Sequence, residues 1–148
     1  MFNIRLANES DIKKVFELSN DDLVRANSIN RNKILWEDHV KWFKNRIKNI
    51  DEPFYIVEDE NENFISQVRF NKEDEELIIS VSINKNFRGH GLGWQIISEV
   101  SQKNGNYPIV AYIKVDNIPS KKSFLKAGYI FKEKKIINGE YYEKYILL

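Results

Sequence analysis

The sequence contains no cysteine. A disulfide framework, a cysteine-based zinc site and a cysteine acyl-enzyme are therefore excluded. An excess of one charge is missing as well, since 23 Lys and Arg stand against 22 Asp and Glu for a net charge of +1. That balance gives no reason to expect nucleic acid or an anionic membrane as a partner. No stretch approaches the roughly 18 apolar residues of a membrane span, and the opening MFNIRLANES lacks the apolar run of a signal peptide. The cytoplasm is the expected location. Internal repeats and low-complexity segments are lacking too. What the chain does have is 42% hydrophobic and 13% aromatic residues over 148 positions, which suits one domain over residues 1–148 and argues against disorder.

Hydrophobic periodicity divides the chain into elements. Phe2 to Leu6 alternates as a strand, and Asn8 with Asp11 three residues on offers a helix start ahead of Ile12, Val15, Phe16 and Ser19. Asp21 to Lys33 is polar and irregular, a loop or short helix. Trp36, Val40, Phe43 and Ile47 recur at helical spacing, so a second helix is expected over Leu35 to Asn49. Strands follow at 54–58, 64–70 and 77–83, with Glu73 to Glu76 as a turn. A helix carrying Leu92, Ile96, Ile97 and Val100 leads to a strand at 109–115. Pro119 opens another helix that Gly128 closes. Two last strands flank the hairpin signal Asn138-Gly139. The order βααβββαβαββ is that of a mixed α+β domain.

Arg88-Gly89-His90-Gly91-Leu92-Gly93 lies between a strand and a helix. Glycines let the backbone turn tightly, and the free N–H groups and dipole of a helix start favour an anion, with a diphosphate as the natural guest. A Walker loop needs Lys-Ser/Thr after its last glycine, where this chain has Trp94-Gln95. A dinucleotide fingerprint needs G-x-G-x-x-G, and Trp94 stands where the last glycine belongs. Taken alone, the glycines also suit a plain strand-to-helix turn.

Val81 to Gly93 resembles motif A of the GNAT acetyltransferase superfamily, a strand followed by Arg/Gln-x-x-Gly-x-Gly/Ala. Asn117-Ile118-Pro119-Ser120-Lys121-Lys122-Ser123-Phe124-Leu125-Lys126-Ala127-Gly128-Tyr129 resembles the second signature of that family. The separation and element order agree, so the resemblance covers the whole chain. It implies a mostly antiparallel sheet flanked by helices, with strands 4 and 5 splayed and acetyl-CoA as co-substrate without a metal. It further implies that Val81 and Ile83 offer backbone bonds to the pantetheine. Arg88, Gly89, His90, Gly91, Leu92 and Gly93 would hold the pyrophosphate, His90 through its backbone alone. Asn117 would contact the cofactor arm, and Lys122 would either reach a phosphate or lie solvated.

Two departures stand out. Phe124 takes the place of a Tyr commonly assigned as the acid, leaving Tyr142, Tyr145, water or departure as thiolate, tolerable for a thiol of pKa near about 8.5. Ile78 stands where relatives often carry Glu. On the acceptor side, Asp22 to Arg25, Trp36 to Phe43 and Gln67-Val68-Arg69-Phe70 are similar to a GNAT branch that acetylates the 4-amino group of nucleotide-linked amino sugars. His39 is then a candidate base, or else a core-edge histidine. Arg25 and Arg69 would clamp a phosphate or carboxylate, or else pair with surface acids, while Gln67 shares a strand face with Arg69. The expected activity is direct N-acetyl transfer to a primary amine of a small molecule. A silent acyl-CoA-binding domain and a protein or peptide N-acetyltransferase are the rivals. A homodimer is compatible with the sequence.

Overall fold

Seven strands build one sheet. They are β1 (Phe2–Leu6), β2 (Phe54–Asp59), β3 (Phe64–Glu73), β4 (Glu76–Ile83), β5 (Ile109–Lys114), β6 (Ile130–Ile137) and β7 (Glu140–Leu147). The helices are α1 (Ile12–Ser19), α2 (Asp22–Asn27), α3 (Trp36–Arg46), α4 (Gly93–Lys103) and α5 (Ile118–Lys126). The structure, a computed structural model, describes residues 1–148. The sheet order is β1-β2-β3-β4-β5-β7-β6. Every pairing is antiparallel except β4 with β5. The expected α+β architecture, mostly antiparallel and flanked by helices, is the one observed.

Local chemistry explains most boundaries. The Asn8 side chain accepts from the Ser10 N–H at 2.9 Å, and Asp11 accepts from the Asn8 N–H at 2.8 Å, a capping box that launches a short turn into α1. Asn138 and Gly139 take φ of 50° and 78°, the two left-handed residues of the β6–β7 hairpin. The helix α3 stops at Arg46, three residues short of the expected Asn49, because the chain tightens there into i→i−3 bonds, Lys48 N–H to Asn45 and Asn49 N–H to Arg46. The segment expected as a loop or short helix contains the single short helix α2.

The sheet carries helices on both faces. On one, α4 and α5 bury Ile96, Ile97, Val100 and Phe124 against Val68, Phe70, Leu77, Ile79 and Ala111. On the other, α1 and α3 bury Val15 and Phe43 against Phe54 and Ile56. No helix is long and apolar enough to cross a membrane.

The feature that positions a site is where β4 and β5 part. Their register holds only for Leu77 with Ile109 and Ile78 with Val110. The Leu77 N–H bonds the Pro108 carbonyl at 2.9 Å, so the alternate residues Val81 and Ile83 aim their backbone groups at the same side, where no strand pairs with them. The splay expected between strands 4 and 5 is present, and its wide end faces the glycine loop.

Candidate active site

The glycine loop opens beside that gap. Gly89 and Gly91 have φ of +77° and +72°, and a Cβ at either would meet nothing within 4 Å. Glycine is required there by backbone conformation and not by crowding. Gly93 is different, since its Cβ would stand 3.0 Å from Ser123 Oγ and 3.5 Å from Ile83 Cδ1. It lets the start of α4 approach both β4 and α5. The helix has no side-chain cap, and the backbone N–H groups from Gly89 through Gln95 have no acceptor within the chain. A run of free donors at a helix start, next to an unpaired strand edge, suits a diphosphate followed by an extended amide-bearing arm. The donor set therefore fits coenzyme A.

Arg88 serves elsewhere. Its Nε donates to the Ile83 carbonyl at 2.9 Å and its Nη2 to Asp21 at 2.9 Å. Although burial pushes the Asp21 carboxyl up, the Arg88 guanidinium and the Val24 and Leu23 N–H groups hold it below its ordinary value. The sequence reading placed the pyrophosphate on the backbone of Arg88 to Gly93; the Arg88 side chain ties the end of β4 to the start of α2. It also occupies the Ile83 carbonyl, so Val81 is the freer of the two strand residues. Asn117 caps α5, its side chain accepting from the Ser120 N–H at 3.4 Å, which leaves its amide N–H groups unassigned. Lys122 and His90 are exposed.

On the opposite face of the sheet the acceptor candidates converge. Gln67 and Arg69 lie across from Ser82 and Ser80 on β4 and from Ile56 and Phe54 on β2. Cross-strand partners share a face, so both point to the α1/α3 side. Arg69 is half-buried and its guanidinium lies 5.1 Å over the Trp42 ring. It forms no hydrogen bond and no ion pair. Burial, then the like charges of Arg46 and Arg25, push it down to about 10, so it stays charged at neutral pH. Gln67 is 2% exposed; its Nε2 donates to Ser19 Oγ at 3.0 Å, and its Oε1 is buried with no partner. Leaving such a group unpaired costs about 1–3 kcal/mol.

Arg25 is a staple rather than a free clamp. Its Nε donates to the Ser19 carbonyl at 2.7 Å, and its Nη1 to Asn30 and Asn32 carbonyls at 2.9 and 3.2 Å. It holds the 20–34 segment in shape. Ser19, unremarked in the sequence beyond its helix face, joins Arg25 to Gln67. Arg46 donates to the carbonyls of Glu52 and Phe70. Neither arginine has a carboxylate partner, so their charge adds to that of Arg69.

His39 reaches the same neighbourhood but not as an open base. It is 1% exposed, its Nε2 donates to the Ile12 carbonyl at 2.8 Å, and Phe43 stacks on it at 5.6 Å. Burial pushes its pKa down, the bond to Ile12 opposes this, and Arg69 lowers it further. It lies at the edge of the core, the reading that the sequence kept open beside a catalytic one. The unfolded chain takes up the proton first, so this group costs stability as pH falls below the ordinary value of 6.5. His39→Phe should remove that slope, and urea midpoints at pH 7 and pH 5.5 should lie closer together than in the unaltered protein.

Tyr142 does not replace the hydroxyl missing at Phe124. It lies opposite Lys114 in the β5–β7 register, on the α1/α3 face, while Phe124 packs on the other face, 4.9 Å from the Tyr129 ring. Burial pushes its pKa up, with Asp116 adding to this and Arg31 opposing it. Tyr145 is on the Phe124 side, but its hydroxyl donates to Glu143 at 2.7 Å. Tyr142→Phe should leave kcat within about twofold, since the alternation of β7 turns its ring away from α5; a loss above about tenfold in steady-state assays would restore it as an acid.

An Acetyltransferase (GNAT) domain model matches residues 2–130. A spermidine N-acetyltransferase from Vibrio cholerae, solved with CoA and spermine, superposes with a TM-score of 0.85 at 16% identity, over 98% of this chain and 92% of that one. A protein assigned as a phosphinothricin N-acetyltransferase gives 0.80 at 24% identity, over 99% and 96%. At these identities the likeness concerns the fold. No curated protein matches the chain.

Proposed function

The chain belongs to the GNAT acetyltransferase family, and from that premise we propose that it acetylates a primary amine of a small molecule, with a nucleotide-linked amino sugar as the acceptor that suits it. The observation that carries the reading is a two-sided arrangement. A run of free N–H groups flanks the β4–β5 gap, and the polar floor formed by Gln67, Arg69, Ser80 and Ser82 lies on the α1/α3 face of the adjoining strands. Acetyl-CoA, the family's acetyl donor, supplies an acyl group already activated as a thioester.

The chain's own contribution is placement. Gly89 to Gln95 would hold the diphosphate by backbone donors, and Val81 would fix the arm as an added strand. The second half of β4 keeps its register with β3, so the donor edge and the acceptor floor belong to one rigid strand pair. An amine seated beside the guanidinium groups of Arg25, Arg46 and Arg69 is disfavoured as ammonium, so its neutral, nucleophilic form is reached at lower pH than in water. That lessens the need for a dedicated base, a role from which His39 is set back by its burial at 1% exposure. Bringing two reactants together in this way is the largest single advantage such a site offers.

The test is release of free coenzyme A from acetyl-CoA in the presence of a nucleotide-linked amino sugar, an amino acid, spermidine and a short peptide. Turnover highest on the amino sugar supports the reading. A preference for the peptide would shift it to the protein N-acetyltransferase alternative, and no turnover despite tight acetyl-CoA binding would leave a silent binding domain.

A further inference from the structure

The α1/α3 face of the sheet has an unusual charge pattern around Arg69. Arg25, Arg46 and Arg69 all contribute to it, and none is paired with a carboxylate. Arg25 and Arg46 are at least used up on backbone carbonyls. Arg69 has nothing but the face of Trp42, which is 37% exposed. An unpaired guanidinium beside the buried Gln67, Val68 and Phe70 is a costly arrangement, and its five donors are fixed in a planar fork. Two residues along the same strand face, Gln67 carries a buried carbonyl oxygen without a donor. Asp21, which follows Ser19 and Asn20, is taken by Arg88 and by the start of α2.

We infer that Arg69, laid against Trp42, is the seat for an anionic group carried by the acceptor itself, so that the enzyme takes amines bearing a phosphate or carboxylate and rejects polyamines. This rests on the acetyl-transfer reading above and narrows it. The planar fork matches either anion bidentately, while the surrounding arginines repel a second ammonium. Gln67 adds a place for one hydrogen-bond donor beside the anion, a hydroxyl or the amine. A polycation has no group for Arg69 and meets the like charges of Arg25, Arg46 and Arg69. A nucleotide-linked amino sugar and an amino acid present the same shared chemistry through different anions, and the assay tells them apart.

The experiment compares the unaltered protein with Arg69→Met and Arg69→Lys. The acceptors are a nucleotide-linked amino sugar, an amino acid and spermidine, and acetyl-CoA and UDP binding are measured by calorimetry. The unaltered protein should turn over at least one anionic amine with kcat/KM at least tenfold above spermidine. Arg69→Met should lower kcat/KM for that amine about 10- to 100-fold through KM, leave acetyl-CoA binding unchanged and abolish UDP binding if the anion is a phosphate. Arg69→Lys should recover part of the loss. Turnover on an anionic amine that is indifferent to Arg69→Met overturns the inference and leaves the acetyltransferase reading standing. So does a preference for spermidine. No turnover on any amine overturns both.

Discussion

Replacing Gly91 with valine is expected to weaken acetyl-CoA binding by about a hundredfold or more while the fold survives. Gly91 has φ of +72°, a region where a β-branched side chain costs about 1–3 kcal/mol. The added side chain meets no neighbouring atom within 4 Å of its Cβ, so the packed core is untouched. The strain is relieved by rotating the loop, and that rotation turns the free N–H groups around it out of alignment. A hydrogen bond to a charged partner contributes about 1.5–3 kcal/mol, so the loss of one or two accounts for the expected factor. Calorimetric titration with acetyl-CoA measures it directly. In a melting experiment, ligand at about 100 times the original dissociation constant stabilises the unaltered protein by about 2.7 kcal/mol, and the variant should gain little. Gly139→Val is the control. It introduces similar backbone strain at φ of +78° in the β6–β7 turn, and should cost stability without altering the dissociation constant. Undiminished binding by the Gly91 variant would mean the anion is held somewhere other than the loop.

Phe43→Ala should cost about 3–5 kcal/mol of stability and damage the acceptor side alone. Phe43 is fully buried, packs edge-on to Phe54 at 5.6 Å and stacks on His39. It belongs to the small cluster with Val15, Phe54 and Ile56 that fastens α1 and α3 to the sheet. Truncating a buried phenylalanine loses its transfer free energy and leaves a cavity that a small cluster cannot close. The free energy comes from urea denaturation. The functional readout is a split: KM for the amine should rise because Trp42, which underlies Arg69, sits on the loosened helix, whereas acetyl-CoA affinity should hold because the glycine loop rests on the other cluster. A change below about 1 kcal/mol would show that α3 is held by something other than this cluster.

Much of the fold was legible in the sequence because its signals are local. Alternation marked the strands at 2–6, 64–70 and 77–83, Asn8 with Asp11 marked the start of α1, and Asn138-Gly139 marked the last hairpin, since each reflects the geometry of a few adjacent residues. The end of α3 was misplaced because the chain tightens into i→i−3 bonds after Arg46, which the apolar spacing of Val40, Phe43 and Ile47 does not report. The candidate site divided in the same way. The glycine loop was readable, because positive φ and a free helix start are properties of the segment itself. The partners of Arg88, Arg25 and His39 and the sheet face of Tyr142 were not, because they come from other elements.

By itself, then, the sequence determined an α+β domain, through the order of its elements, and a glycine loop between a strand and a helix, around Gly89. Periodicity and glycine placement act over single elements and survive without knowledge of their neighbours. The tertiary structure decided which charges remain free. Four arginines that look alike in the chain end differently. Arg88 meets Asp21, Arg25 and Arg46 meet carbonyls, and Arg69 meets only an indole. Hydrogen bonding and burial are properties of the packed assembly, and they alone separate a guanidinium that holds the protein together from one left to hold something else.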